Sequence, residues 1–323
     1  MTNKINLFDL QTQKERISKR VNERMGAVLD HGQFIKGPEV WDLEDKLAEY
    51  VGVNNCITCG NGTDAIMIAL MALGVKPGDE ILVPSFTYAA SAEPISLLGA
   101  TPVFVEVDHR TFNFDLEDAR NRINERTVGV VVASLYGQCA DYDSINKFFK
   151  ERHLFVLEDG AQSFGARIND KRSCSFTDIS TTSFFPTKPL GCYGDGGAIF
   201  TNDNHLGKLA RQISTHGQEK KYEHVRLGVN SRLDTLQASI ILEKLTIFDD
   251  EIQLRNSVAD SYNELITNEL IIKPKVAENH QSVFALYTIQ TDYRNELMQA
   301  LSDQNIPSGI YYQIPLHKQL AFS

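Results

Sequence analysis

The sequence predicts an α/β fold: a mostly parallel, doubly wound sheet in a large unit (residues 1–248), followed by a smaller α+β unit (residues 249–323). Three observations carry this. Between Asn55 and Asp159, short apolar runs alternate with segments of helical spacing, the order that builds parallel crossovers. The runs EILVP (80–84), VGVVVASL (128–135) and LFVLE (154–158) are continuously apolar, as expected of strands covered by helices on both faces. After residue 249 the order changes to a helix (251–268), a strand (283–291), a helix (294–304) and a strand (307–312), which suits α+β.

The elements follow in chain order. Residues 10–30 carry apolar positions at helical spacing among charges and predict a surface helix. Pro38 stands where a first helical turn tolerates it, so Glu39–Tyr50 predicts a helix. Asn55–Cys59 predicts a strand, and Gly60-Asn61-Gly62-Thr63-Asp64-Ala65-Ile66 a glycine turn opening a helix through Leu73. Free N–H groups at such a helix start favour a phosphate. The same residues also describe an ordinary glycine turn with Thr63 as the cap. Then come strand 80–84, helix 87–98, strand 101–107, helix 116–122, strand 128–135, helix 142–152 and strand 154–158. Ile179–Phe185 and Gly197–Asn202 predict two further strands, Asn204–Gly217 a helix, residues 218–226 a mixed-charge loop, and Leu233–Asp249 a long helix.

Composition narrows the function. Hydrophobic residues at 42% and charged residues at 23% are ordinary for a globular enzyme, and a net charge of −10 disfavours nucleic acid as partner. No apolar run has the length of a membrane span, and the polar N-terminus lacks a signal-peptide core, so a cytoplasmic location is expected. The five scattered cysteines suit reducing surroundings. Cys56 and Cys59 form a CxxC without a second pair, so no zinc site is expected and the pair should end a buried strand.

The chemistry centres on Thr181–Gly197, where hydroxyls lead into Lys188, set between Pro186 and Pro189, with glycines at 191, 194, 196 and 197 following. An amine in so apolar a setting can lose solvation and become nucleophilic. A surface turn with an exposed lysine is the bland alternative. Two further candidates fall at strand ends, where doubly wound sheets bind ligands: Tyr88 in Ser85-Phe86-Thr87-Tyr88, and Asp159 in Glu158-Asp159-Gly160-Ala161-Gln162. An acid there can also be only a turn former. Nucleotide-binding loops are excluded by spacing. The 60–66 turn has no Gly-Lys-Ser/Thr, and Gly191, Gly194 and Gly196 follow the lysine at the wrong intervals.

Taken together, GNGTDAI (60–66), PSFTYAAS (84–91), EDGAQSFGA (158–166), TTSFFPTKPLGCYGDGGAI (181–199), THGQ (215–218), LGVNSRLDTLQA (227–238) and YYQIPLHKQ (311–319) resemble the pyridoxal-phosphate-dependent sugar aminotransferases, the DegT/DnrJ/EryC1/StrS family of aspartate-aminotransferase fold type. The resemblance spans essentially the whole chain. It implies that Lys188 forms the imine with the cofactor and later shuttles a proton. A free lysine titrates near 10.4, so work near neutrality needs a drop of ~3 units, or about 4 kcal/mol.

By the same resemblance Asp159 pairs with the ring nitrogen, Gln162 meets the ring's O3′ side and Tyr88 stacks on its face. Gly62, Thr63 and Ser183 hold the phosphate. Asn230 reaches the neighbouring subunit's cofactor, which implies a homodimer with shared sites. L-glutamate is the implied amino donor and a nucleotide-linked keto-sugar the acceptor.

Residues 216–232 are most similar to members acting on UDP-linked 3-oxo-N-acetylglucosaminuronate, which serve surface-polysaccharide synthesis. For such a substrate His216, Lys220, Arg226 and Arg232 would supply positive charge. Arg232 is the candidate for the sugar carboxylate, and Tyr312 and His317 for the substrate side. Members acting on dTDP- or UDP-linked 3- or 4-keto-6-deoxy sugars are the alternative, as are sugar dehydratases, which carry histidine where Lys188 stands. The family pattern continues beyond residue 319, so the smaller unit is expected to be incomplete at Ser323.

Overall fold

The computed structural model describes residues 5–322; residues 1–4 and 323, which the expected unit limits include, lie outside it. Helix α1 (Leu10–His31) is capped by Asp9, whose side chain accepts from the N–H groups of Gln11 and Thr12. It packs Ile17 and Val21 against Ile240 of a later helix. Helix α2 (Pro38–Val51) starts with proline in its first turn and buries Val40, Leu43, Leu47 and Val51.

The central sheet comprises β1 (Asn55–Cys59), β2 (Glu80–Pro84), β3 (Thr101–Val105), β4 (Thr127–Ala133), β5 (Phe155–Asp159), β8 (Ile179–Ser183) and β9 (Gly197–Thr201), with the short hairpin β6 (Arg167–Ile168) and β7 (Lys171–Arg172) between β5 and β8. The strand order is β1-β9-β8-β5-β4-β2-β3. β9 runs antiparallel to both its neighbours, and the ladders from β8 to β3 are parallel. The apolar runs explain why the sheet lies between two layers. Leu82, Val130, Val132 and Val156 face one core, whereas Ile81, Val83, Val131 and Leu157 face the other. With a side-chain period of two, continuous apolarity buries both faces.

Helices α3 (Gly62–Ala72), α4 (Glu93–Leu97), α5 (Leu116–Arg120), α6 (Tyr142–Lys150) and α7 (Asn204–Ile213) connect or flank the strands. The 87–98 helix is broken: a 3₁₀ turn, Ala89–Ser91, precedes α4. Pro94 explains this, because it has no N–H for a helix interior but is tolerated in the first turn of a new one. Residues 218–226 hold a two-stranded ribbon, β10 (Gln218–Lys220) with β11 (Glu223–His224), in place of a plain loop. Helices α8 (Thr235–Leu245) and α9 (Phe248–Leu265) follow, then the short β12 (His280–Gln281) and α10 (Arg294–Asp303).

The expected strands 283–291 and 307–312 do not form; only an isolated bridge, Ile272 with Gln290, is present there. The segment instead docks on the sheet unit through backbone bonds. Val283 N–H donates to Gly137 O at 2.9 Å, and Leu286 N–H to Tyr136 O at 3.4 Å. Gly137 has φ +111°, and a Cβ there would stand 2.7 Å from the Phe284 nitrogen, so the approach requires glycine.

Candidate active site

The strand register brings the site together. Ala133, Asp159 and Thr181 are paired across β4, β5 and β8, and Ser183 pairs with Gly197, which also pairs with Cys59. One sheet edge thus gathers the ends of these strands beside the start of α3. Over it lies a cavity of about 610 Å³. Gly62, Thr63, Tyr88, Asp159, Gln162, Ser183, Lys188 and Tyr312, all singled out in the sequence, line it.

Lys188 is half-buried on a pinned loop. Its N–H donates to Phe185 O at 2.9 Å, Phe184 N–H donates to Gly196 O at 2.8 Å, and Cys192 N–H donates to Phe184 O at 2.7 Å. Burial pushes the amine below the usual lysine range, and the negative charge of Asp159 partly opposes that. The two groups therefore sense each other across the cavity.

Asp159 is held from two sides. Its Oδ1 accepts from Ala161 N–H at 3.1 Å, a turn contact, and its Oδ2 accepts from Ser91 Oγ at 2.7 Å. Both the turn-former and the cavity roles expected of it are thus visible.

Gln162 spends most of its amide on neighbours. Its Oε1 accepts from Tyr136 N–H at 2.9 Å, and its Nε2 donates to the Tyr312 hydroxyl at 3.1 Å, leaving one amide hydrogen. Tyr88 is 58% exposed, with its ring centroid 6.2 Å from that of Tyr312, so a ring face is available above the cavity. Tyr136 donates from its hydroxyl to Tyr311 O, which ties the 311–312 segment to the rim.

The start of α3 is built for an anion. Asn61, not Thr63, is the cap; its side chain accepts from Asp64 N–H at 2.8 Å, and Ala65 N–H reaches Asn61 O at 3.0 Å. The first-turn N–H groups of Gly62 and Thr63 precede that ladder and belong to residues lining the cavity. A Cβ on Gly62 would stand 2.7 Å from Ser183 Cβ, so glycine keeps this corner open.

Asn230, Arg232 and His317 do not line the cavity. Asn230 is exposed and bridges Thr215. Arg232 stands with Lys36 and Arg211 at a separate small recess that also holds Glu44. His317 is exposed, its ring 6.4 Å from Phe104. Of the other proposed cations, Lys220 lies 3.9 Å from Glu223, and His216 uses its backbone to pair with Val229.

The sequence reading missed Phe8, Ser91, Ser134 and Asp195. Phe8, Ser134 and Asp195 line the cavity, and Ser91 supports Asp159. The hydroxyls at 85, 87 and 91 were a legible signal for Ser91; nothing around Phe8 marked it.

An amine made less basic by burial, a fixed carboxylate and a helix start with free N–H groups, all on one cavity, match the aldehyde, ring nitrogen and phosphate of pyridoxal phosphate, and the residues fit that cofactor. Fold and site define a pyridoxal-phosphate-dependent enzyme of the aspartate-aminotransferase fold type. The chain belongs to the DegT/DnrJ/EryC1/StrS aminotransferase family, which matches it over residues 15–323.

It is 51% identical over 317 residues, covering 98% of this chain and 88% of the other, to the UDP-2-acetamido-2-deoxy-3-oxo-D-glucuronate aminotransferase of Pseudomonas aeruginosa. Among solved structures it superposes with TM-score 0.94 on a DegT/DnrJ/EryC1/StrS aminotransferase from Brucella abortus, at 41% identity, covering 98% of this chain and 87% of that one. It also superposes with TM-score 0.88 on NtdA of Bacillus subtilis with bound cofactor PMP, at 31% identity, covering 94% of this chain and 71% of that one.

Proposed function

We propose that this enzyme transfers an amino group from L-glutamate to a nucleotide-linked keto-sugar, UDP-2-acetamido-2-deoxy-3-oxo-D-glucuronate, working as a cytoplasmic homodimer. The observation that carries the transamination is the shared cavity of Lys188 and Asp159, with the amine made less basic by burial. The likeness to the Pseudomonas aeruginosa enzyme supports the substrate.

When bound, pyridoxal phosphate supplies an electron sink for negative charge at the reacting carbon. Lys188 Nζ would hold it and is the group placed to hold or move a proton there; a lowered pKa enlarges the neutral fraction of the amine near neutrality. Asp159 would hold the ring nitrogen's positive charge, its carboxylate being already fixed by Ala161 and Ser91. Gly62, Thr63 and Ser183, which line the cavity at the positive end of α3, would bind the phosphate. Tyr88 would cover the ring, and Gln162 has one amide hydrogen left that could serve the ring oxygen. The same pocket serves donor and acceptor in turn.

Asn230 and Arg232 have no place in their own chain's cavity, which supports assigning them to the cavity of a second copy. The 230–232 segment is tethered at the base of α3. Ser231 Oγ donates to Asp64 Oδ2 at 2.6 Å and accepts from Gly60 N–H at 2.9 Å. Arg232 there would meet the sugar carboxylate, with Tyr312 and His317 on the substrate side.

The test has two stages. Mixing the holoenzyme with L-glutamate should convert the cofactor to its amine form, with release of 2-oxoglutarate. A panel of UDP- and dTDP-linked 3- and 4-keto sugars should then reverse the conversion, fastest with the 3-oxo-glucuronate. No keto-acid release would sink the transamination and favour a dehydratase. Faster reversal by a 6-deoxy keto-sugar would replace the substrate.

A further inference from the structure

Thr87 and Ser91 are buried, at 3% and 0% exposure, so their hydroxyls must be satisfied within the protein. They lie four residues apart on the segment that carries Tyr88 and ends in the 3₁₀ turn Ala89–Ser91. Their oxygens are 3.1 Å apart, and Ser91 Oγ is 2.7 Å from Asp159 Oδ2. Proton counting fixes the direction. An ionised carboxylate only accepts, so the one hydroxyl hydrogen of Ser91 goes to Asp159. Thr87 must then donate to Ser91. The two hydroxyls form a one-way chain ending on the acid, and each bond polarises the next.

We infer that Ser91, aligned by Thr87, is a positioning residue for Asp159: it sets the carboxylate plane toward the cavity.

The placement has a further consequence. The Ser85–Ser91 segment holds Tyr88 outward over the cavity while Ser91, backed by Thr87, holds the acid within. Oδ1 is tied to β5's own following turn through Ala161, so Oδ2 is the oxygen whose support comes from a different element. Any shift of the Tyr88 segment is therefore felt at Asp159. Donation to the charged form of an acid favours that form, and a hydrogen bond to a charged group is a strong one.

The inference rests on the role given to Asp159 above, and the experiment separates the two. The pH titration of the cofactor's visible absorbance and the Kd of pyridoxal phosphate for the apoenzyme are measured for the wild type, D159N, S91A, S91T and T87V. D159N should move both quantities strongly. S91A should move them in the same direction, weakening cofactor binding by about 10-fold, as loss of one charge-assisted bond implies. S91T, which keeps the hydroxyl, should restore both to within about threefold. T87V should give a smaller shift of the same sign, and it reports on the chain even if S91A does not fold.

If D159N shifts the titration and neither S91A nor T87V does, the Ser91 inference is overturned while the role of Asp159 stands. If S91T behaves as S91A, the hydroxyl is not the cause and the inference is again overturned. If D159N itself changes nothing, the role of Asp159 fails first.

Discussion

Glu158 and Asp159 are adjacent on one strand and chemically alike, yet β5 sends them to opposite sides of the sheet. Asp159 turns toward the cavity, the α3 side, where Ser91 and Ala161 hold its oxygens and Lys188 faces it. Glu158 turns into the other layer and is fully buried. Its Oε1 accepts from Ser173 Oγ at 2.7 Å and its Oε2 from Cys174 N–H at 2.9 Å. Desolvation pushes its carboxyl up to about 7, with those hydrogen bonds opposing and the charge of Asp159 adding. The titratable neighbours on that side are Tyr142, Cys139 and Cys174, all raised by burial. One acid is arranged to stay available to a ligand and the other to be shut away from one. Sequence proximity says nothing about which does chemistry; strand alternation does.

The contrast can be broken at several points. The largest effect belongs to Lys188→Ala, which removes the reacting amine from the cavity side. Turnover should fall by about 10⁴-fold or more, with the visible cofactor band lost. The melting temperature should not drop, because a desolvated amine is removed. A retained band would end the assignment.

Asp159→Asn should lower kcat by about 10²- to 10³-fold, the usual scale for one preorganised charge, with circular dichroism unchanged.

Glu158→Gln should instead leave kcat within about threefold, since it faces no part of the cavity. Its signature is stability against pH. The folded pKa of about 7 exceeds the reference of 4.5, so between these values the folded state holds the proton more tightly than the unfolded state. The stabilising contribution is complete below 4.5 and is lost as pH rises through about 7. The wild type should therefore lose about 3 kcal/mol relative to Glu158→Gln across that window in urea melts. A glutamine can serve both neighbours by accepting from Cys174 N–H and donating to Ser173 Oγ. If Glu158→Gln lost as much activity as Asp159→Asn, the separation of the two faces would be wrong.

Gly62→Ala is the smallest change. A Cβ 2.7 Å from Ser183 Cβ should crowd the anion corner and raise the Kd for pyridoxal phosphate by about 10-fold, read from fluorescence quenching of the apoenzyme. An unchanged Kd would remove the phosphate from that corner.

How much of this was legible varied along the chain. The strands of the central sheet largely were, because strands covered on both faces are mostly apolar, and β4 and β5 match the expected runs within a residue or two. Lys188, Asp159, Tyr88 and the Gly62 turn were marked by strand ends and by motif. The strands expected at 283–291 and 307–312 were misread. Among the described residues the only bridge there is Ile272–Gln290, and Val283 and Leu286 donate their backbone N–H groups to Gly137 and Tyr136 instead of to a neighbouring strand. Pro94 was visible in the sequence, yet the helix expected at 87–98 ran through it.

The order of residue types determined, without any coordinates, that a mostly parallel sheet would form and that both its faces would be covered, and it marked Lys188 and Asp159 as candidates whose roles the family resemblance implied. The sheet's features are consequences of local periodicity and of backbone rules acting over a few residues. Only the tertiary structure decided that Ser91 rests on Asp159, that Gln162 spans Tyr136 and Tyr312, and that Arg232 and Asn230 lie outside their own chain's cavity. Such pairings join residues 68 and 150 positions apart, and they depend on register and docking that no short stretch of sequence encodes.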